Sequence, residues 1–222
     1  AELLIIDEAS MLTWRLLSEV FKTNPRWIIL CGDPEQLPPV QGENTFKSLL
    51  EVLPKVSLNT IYRGSFQTKL IKLKSVDEVI NKVVELARNL ARAKKQFQVI
   101  TSRYDTPCGV NVLNRVLKDV KEIEPKVIVN KNYYDREGNL LASNGQTGTL
   151  IRKDSSMAEV RIDGHSISIP LKYLSPAYAI SVHKSQGSEW DYVIYVKHPI
   201  DSEQLQRTAT TRAKVLTYVL SL

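Results

Sequence analysis

The sequence predicts an α/β protein built on parallel sheets, with a small β insertion in its second half. Three observations predict it. The apolar runs Leu3-Leu4-Ile5-Ile6 and Trp27-Ile28-Ile29-Leu30-Cys31 stop abruptly at Asp7-Glu8 and Gly32-Asp33, the texture of buried parallel strands whose carboxyl ends face a ligand crevice. Segments with apolar residues at helical spacing alternate with such runs, and strand-helix alternation marks a parallel sheet. Between about Pro125 and Pro176 the texture changes to short alternating runs broken by Gly, Asn and Asp, with no helical period.

Composition bounds the rest. A chain of 222 residues with 43% apolar content has enough material for a core in one large or two small domains. No apolar run approaches the roughly 20 residues of a membrane span, and the N-terminus lacks the layout of a signal peptide, so no membrane partner and an intracellular, cytoplasmic setting are expected. Cys31 and Cys108 lack metal-ligand spacing and are expected to be reduced thiols. A net charge of +6 and a pI near 9.2 permit a polyanionic partner without establishing one. The chain opens on Ala1 and within two residues is in a core-type strand. A central parallel strand needs neighbours, so a preceding or separately supplied segment is expected.

Taken in order, the first strand delivers Asp7 and Glu8 to the sheet edge. Adjacent carboxylates there suit a nucleotide site, one to hold Mg²⁺ through its water shell and one to orient or deprotonate an attacking water; a strand leading into an ordinary helix cap is the plainer alternative. Leu12, Leu16, Leu17, Val20 and Phe21 form a covering helix closed by Asn24-Pro25. The second strand brings Asp33 to the same edge if the two run parallel. Gln36, in a loop stiffened by Pro38-Pro39, either hydrogen-bonds a phosphate oxygen or the attacking water, or is a polar loop residue. Phe46, Leu49, Leu50 and Leu53 make a short helix stopped by Pro54. Arg63, beside Gly64, is a guanidinium of the kind that clamps a γ-phosphate, or a surface arginine.

Val76 to Ala91 carries one apolar helical face with Asp77 and Glu78 in its first turn; the lysines from Lys69 to Lys74 read as a solvated face. Gln98 to Thr101 is a strand, and Val110 to Val120 a helix. In the insertion, Asp163-Gly164 is a two-residue hairpin turn that pairs Ile162 with His165, Val160 with Ile167 and Ala158 with Ile169. Lys131, Tyr133, Tyr134 and Lys153 supply charge and rings for a single strand, or are core and surface residues. Ala179 to Trp190 returns to α/β texture, and His183-Lys184-Ser185-Gln186-Gly187 gathers donors around a glycine. Tyr192 to Val196 is a strand, and Arg212 in the final segment is a second candidate clamp.

The joint order of these pieces resembles motifs II to VI of superfamily 1 helicases, the RecD-like group above all: Asp-Glu-Ala-Ser at 7–10, Gly-Asp-Pro-Glu-Gln-Leu-Pro-Pro-Val at 32–40, Tyr-Arg-Gly-Ser at 62–65, His-Lys-Ser-Gln-Gly at 183–187 and Thr-Thr-Arg-Ala-Lys at 210–214. The resemblance implies RecA-like motor lobes, the first ending within 1–60, the second formed by 61–124 and 177–222, with an SH3-like insertion at 125–176. It implies Glu8, Gln36, Arg63 and Arg212 as catalytic residues, with Asp7, Asp33, Gly187 and Glu189 toward ATP and Mg²⁺. His183, Lys184, Ser185, Gln186 and Tyr133 fall toward single-stranded DNA, moved 5′ to 3′, with other replication or recombination proteins as further partners and a phage or bacterial nucleoid as the setting. Two departures stand out. No Gly-x-x-x-x-Gly-Lys-[Ser/Thr] occurs anywhere, so the phosphate-binding loop must come from an N-terminal segment, and Arg207 occupies a place where the family often has an aromatic. The expected function is the C-terminal portion of an ATP-dependent DNA helicase; the alternative is a remnant that binds nucleic acid or protein without hydrolysis.

Overall fold

The computed structural model describes residues 2–39, 44–58 and 67–222. The chain divides into two units, Ala1–Gly64 with Ser202–Thr208, and Ser65–Asp201 with Ala209–Leu222.

The first unit contains β1 (Leu3–Ile6), α1 (Trp14–Lys22), β2 (Trp27–Leu30) and α2 (Thr45–Val52). The β1 and β2 strands pair parallel, Leu3 opposite Trp27 and Ile6 opposite Leu30. Thr13 caps α1 by accepting from the Leu16 amide at 3.2 Å, and Asn44 caps α2 from Lys47 at 3.1 Å, each satisfying an orphan donor of the first turn. Ala9, Leu12, Leu17, Leu37 and Phe46 are buried. The strands were expected to be covered on both faces and are not: Leu3, Ile5, Trp27 and Ile29 all lie on one exposed face, because successive side chains point to opposite sides and the core of this unit covers only one of them.

The second unit begins with β3 (Gln67–Lys72), α3 (Val76–Arg92), β4 (Phe97–Thr101) and α4 (Val110–Lys118). The insertion follows as β5 (Lys126–Val129), β6 (Tyr133–Tyr134), β7 (Leu140–Ala142), β8 (Thr147–Lys153), β9 (Met157–Ile162), β10 (His165–Pro170) and β11 (Leu174–Pro176). Then come β12 (Ala179–Ser181), β13 (Trp190–Val196), α5 (Glu203–Thr210), most of which belongs to the first unit, and β14 (Ala213–Ser221). One five-stranded sheet has the order β12-β4-β13-β14-β3 with every pairing parallel. Helix α3 starts at Ser75, whose hydroxyl accepts from the Glu78 amide, and buries Val79, Val83, Ala87 and Leu90 against Phe97, Val99, Leu113 and Ile194, the stripe that its periodicity required.

The insertion is an antiparallel sheet of order β10-β9-β8-β5-β11 with its own core of Val127, Val129, Ala158, Val160, Ile162 and Ile169. The hairpin register is the expected one, Ile162 with His165, Val160 with Ile167 and Ala158 with Ile169. Asp163 and Gly164 both have positive φ, 48° and 83°, the left-handed pair that a type I′ turn needs. Two strands escaped the sequence reading. In β3 nearly every residue is exposed, so its lysines gave no apolar run, yet its backbone completes the parallel sheet at one edge. The other is β14, nine residues long.

Candidate functional site

Within the first unit, the parallel register carries Asp7-Glu8 and Gly32-Asp33 to neighbouring strand ends. The Cys31 amide donates to the Ile6 carbonyl and the Ala9 amide to the Cys31 carbonyl, each at 2.8 Å, so the chain leaving β1 is stitched to the chain leaving β2. Glu8 sits at φ 51°, a left-handed conformation that costs a branched or bulky residue about 1 kcal/mol or more. Its amide donates to Asp7 Oδ1 at 2.8 Å, which fixes the first carboxylate relative to the second. Gly32 keeps this junction close: a Cβ there would stand 3.0 Å from the Ser10 amide nitrogen and 3.1 Å from the Phe46 ring, tighter than most such contacts. Without a side chain, the end of β2 closes onto the short 3-10 turn Ala9–Met11.

The loop after β2 is held from inside. Asp33 Oδ1 accepts from the Glu35 amide at 2.9 Å, and the Gln36 amide donates to the Asp33 carbonyl at 3.1 Å. The side-chain oxygen of Gln36 is buried without a hydrogen-bond partner, as is the Ser10 hydroxyl. A buried amide oxygen left unpaired is costly, and it marks a place that a donor on a bound group would satisfy. Two residues from α5 that the sequence reading did not assign here complete the arrangement. Gln204 Nε2 donates to the Gln36 carbonyl at 2.6 Å, and the Arg207 guanidinium lies 3.9 Å from both Asp33 Oδ2 and Glu35 Oε2. The signal was present in part: Gln204 and Arg207 are three apart, hence neighbours on one helical face, but nothing in the sequence named the acidic loop as their partner.

The donor set fits a hard cation. Asp7, Glu8 and Asp33 offer only carboxylate oxygens, the donor type that Mg²⁺ takes; among the described residues no group of three His, Cys, Asp or Glu side chains is placed to hold a metal ion.

Within the second unit, the predicted residues fall at two opposite edges of the parallel sheet: the turn at 183–185 follows the carboxyl end of β12, whereas Glu189 and Arg212 stand at the amino ends of β13 and β14. His183–Ser185 form a 3-10 turn after β12. Ser185 is fully buried and its hydroxyl donates to the Val182 carbonyl at 2.7 Å; Lys184 Nζ donates to Asn130 Oδ1 at 3.0 Å. Burial holds the His183 imidazole below its ordinary pKa, so the ring is neutral and offers one donor and one acceptor. Gln186 ends the turn, and Gly187 follows at φ 76° with open space where a Cβ would stand. The Trp190 amide donates to the Arg212 carbonyl at 3.0 Å, which sets Glu189 and Arg212 at adjacent strand starts. Arg212 is buried, its Nη2 3.3 Å from Thr211 Oγ1, and Glu189 lies 3.9 Å from Lys214 Nζ. Tyr133 is packed in the insertion core, its ring 6.1 Å from that of Tyr173 and tilted by 60°; the exposed ring at this point is that of Tyr134. Arg63 and Val40, at the motifs around 62–65 and 32–40, lie outside the described residues.

Residues 1–99 match a family described as an AAA domain, and residues 176–220 one described as a UvrD-like helicase C-terminal domain. Among curated proteins, the ATP-dependent RecD2 DNA helicase of Deinococcus radiodurans is 27% identical over 257 residues, covering 96% of this chain and 35% of that protein. A probable conjugal transfer protein TraA of Sinorhizobium fredii is 22% identical, covering 85% of this chain and 22% of its own length. The chain therefore spans about a third of the one and about a fifth of the other. Among solved structures, a Pif1 helicase from Bacteroides in complex with ADP-AlF3 and ssDNA is similar with a TM-score of 0.62 at 17% identity, over 98% of this chain and 70% of that one. Pif1 helicase from Candida albicans gives 0.55 at 19% identity, over 99% and 72%. These likenesses establish a RecA-like helicase fold.

Proposed function

We propose that this chain, which is similar to superfamily 1 helicases and RecD-like in its motifs, is the C-terminal portion of an ATP-dependent DNA helicase or translocase acting on single-stranded DNA in the 5′ to 3′ direction. The observation that carries the reading is the junction in the first unit, where parallel pairing sets the strand end that carries Asp7 and Glu8 beside the one that leads to Asp33 and to Gln36, whose buried side-chain oxygen has no partner. In this reading residues 1–60 close the first RecA-like lobe, 61–124 and 177–222 form the second, and 125–176 is its SH3-like module. The exposed apolar face of β1 and β2 and the lack of a phosphate-binding loop in the sequence support an additional segment that carries that loop and completes the pocket.

Magnesium-bound ATP, when present, supplies the transferable phosphoryl group and the charge to balance these carboxylates. Asp7, exposed and tied to the Glu8 amide, would hold the metal through its water shell. Glu8, pinned by its left-handed backbone, would accept the proton of the attacking water. The Gln36 amide would hydrogen-bond that water or a γ-phosphate oxygen without adding negative charge. By resemblance, Arg63 and Arg212 bring guanidinium to the γ-phosphate, and Gly187 and Glu189 carry nucleotide state to the turn at 183–186, where neutral His183 and Lys184 bond the nucleic-acid backbone.

The test joins the chain to a segment bearing the phosphate-binding loop and measures DNA-stimulated ATP hydrolysis. The joined protein hydrolyses ATP and the chain alone does not. Glu8→Gln lowers kcat by on the order of 10²-fold or more, the worth of a positioned general base, and Arg212→Ala abolishes stimulation. Unchanged hydrolysis in Glu8→Gln would sink the assignment.

A further inference from the structure

The second unit contains a groove of about 450 Å³, within the range of small-ligand pockets, roughly 300–1,000 Å³. It lies along the free edge of β12, between α4, the end of β11 and the turn at 183–185. Asn111, Asn114, Arg115 and Lys118 fall at helical i, i+3, i+4 and i+7 positions of α4 and all line it. Asn114 is committed to the sheet. Its Nδ2 donates to the Ala179 carbonyl at 2.8 Å and its Oδ1 accepts from the Ala179 amide at 3.1 Å. It thus occupies the strand edge that a further strand would otherwise seek.

Arg115 and Lys118 carry no such bonds. Both are exposed and neither makes an ion pair or hydrogen bond among the described residues. Across the groove, Lys184 is held by Asn130, whose own Nδ2 donates to Ser175 Oγ at 2.7 Å, so a third cation is fixed at the rim by the insertion. No carboxylate lines the groove, and Asp105, which touches its lining residue Asn111, is engaged by Asn111 Nδ2 at 2.6 Å. At the mouth stands Tyr104, 43% exposed, its hydroxyl 3.4 Å from Ser181 Oγ. The hydroxyl is tethered and the ring is left open. Three cations without counter-charge along a groove, with one tethered aromatic ring at its end, are the elements that bind single strands: charge for the backbone and a π-face for a base.

We propose that this groove is a single-stranded nucleic-acid subsite in which Arg115, Lys118 and Lys184 hold consecutive phosphates and Tyr104 stacks a base. It rests on the proposed single-strand function and extends the path from the 183–186 turn onto α4 and the insertion boundary. The test uses the whole chain and a labelled oligo-dT of roughly 15 nucleotides, with affinity followed between about 50 and 200 mM salt. Arg115→Ala with Lys118→Ala weakens binding and lowers the salt slope by about 1.4, two phosphates at ~0.7 each for a single strand. Tyr104→Ala weakens binding at least about fivefold with the slope unchanged, since stacking is not ionic, and Tyr104→Phe retains affinity. Wild-type and Lys184→Ala chains that both fail to bind would overturn the single-strand function itself. Binding that Lys184→Ala weakens but the Arg115/Lys118 and Tyr104 variants leave intact, in slope and affinity, would overturn the groove alone.

Discussion

Lys126 offers the sharpest energetic test of how the second unit is assembled. It opens β5, the first strand of the insertion, and its ammonium donates to the Phe97 carbonyl while lying 4.1 Å from the centre of the Phe97 ring. The contact ties the insertion to the start of β4. Burial pushes this ammonium down from 10.5 to about 8, with Glu124 opposing the shift weakly. Folding therefore favours the neutral amine. At 1.36 kcal/mol per pKa unit the shift corresponds to about 3 kcal/mol. The sign follows from proton counting: between pH 8 and 10.5 the unfolded chain holds the proton that the folded chain has released, so stability rises with pH across that window, and the cost is fully present below it. Lys126→Met keeps the stem, removes the charge and removes the hydrogen bond to the Phe97 carbonyl, a pH-independent offset. Urea unfolding followed by circular dichroism should show the wild-type chain gaining about 3 kcal/mol on the variant between pH 8 and 10.5. Other lysines and tyrosines titrate in both proteins and cancel. A gap that stays flat across the window would refute the buried-ammonium account.

Two further substitutions probe packing. Gly148→Ala places a Cβ 2.6 Å from Val160 Cγ1 and 2.7 Å from the Arg161 carbonyl oxygen, backbone that cannot swing aside, and should cost about 1–3 kcal/mol in thermal unfolding; a neutral result would mean that β8 and β9 separate freely. Tyr195 is fully buried and donates to Asp201 Oδ2 at 2.6 Å, the same oxygen that accepts from the His198 amide. Tyr195→Phe should cost about 1.5–3 kcal/mol, the range for a hydrogen bond to a charged group, with no loss expected if the hydroxyl were replaceable by water.

Elements whose burial is complete were legible in the sequence. Strand β4 is buried at all five positions and α3 has a full apolar stripe, so hydrophobic pattern and structure coincide. The Asp163-Gly164 hairpin was legible for another reason, because its turn chemistry and side-chain alternation select one register. Strand β3 was not legible: it gains its place through backbone hydrogen bonds to β14, which leave no mark on residue type when the side chains stay in water. The same division holds at the candidate site. The strand ends that lead to Asp7-Glu8 and to Asp33 could be set side by side because parallel strands deliver their carboxyl ends to one edge. Gln204 and Arg207 reach that loop from about 170 residues further along the chain, and such contacts follow from tertiary placement alone.

Arg207 then acquires a physical rationale for standing where related helicases often carry an aromatic. The loop after β2 places Asp33 and Glu35 around one guanidinium, and two carboxylates so close repel one another. A ring at position 207 would leave the repulsion standing; a guanidinium 3.9 Å from both carboxylates relieves it. Because Arg207 and its partners are exposed, each pair is worth at most about 1 kcal/mol and is screened by salt. Arg207→Ala should therefore lower stability by less than about 1 kcal/mol at low salt and by nothing measurable near ~1 M. Arg207→Lys should recover most of the difference, since charge and not bidentate geometry carries it at this distance. A loss above about 2 kcal/mol that persists at high salt would show instead that the guanidinium is desolvated and structural, and the charge-balancing role would fall.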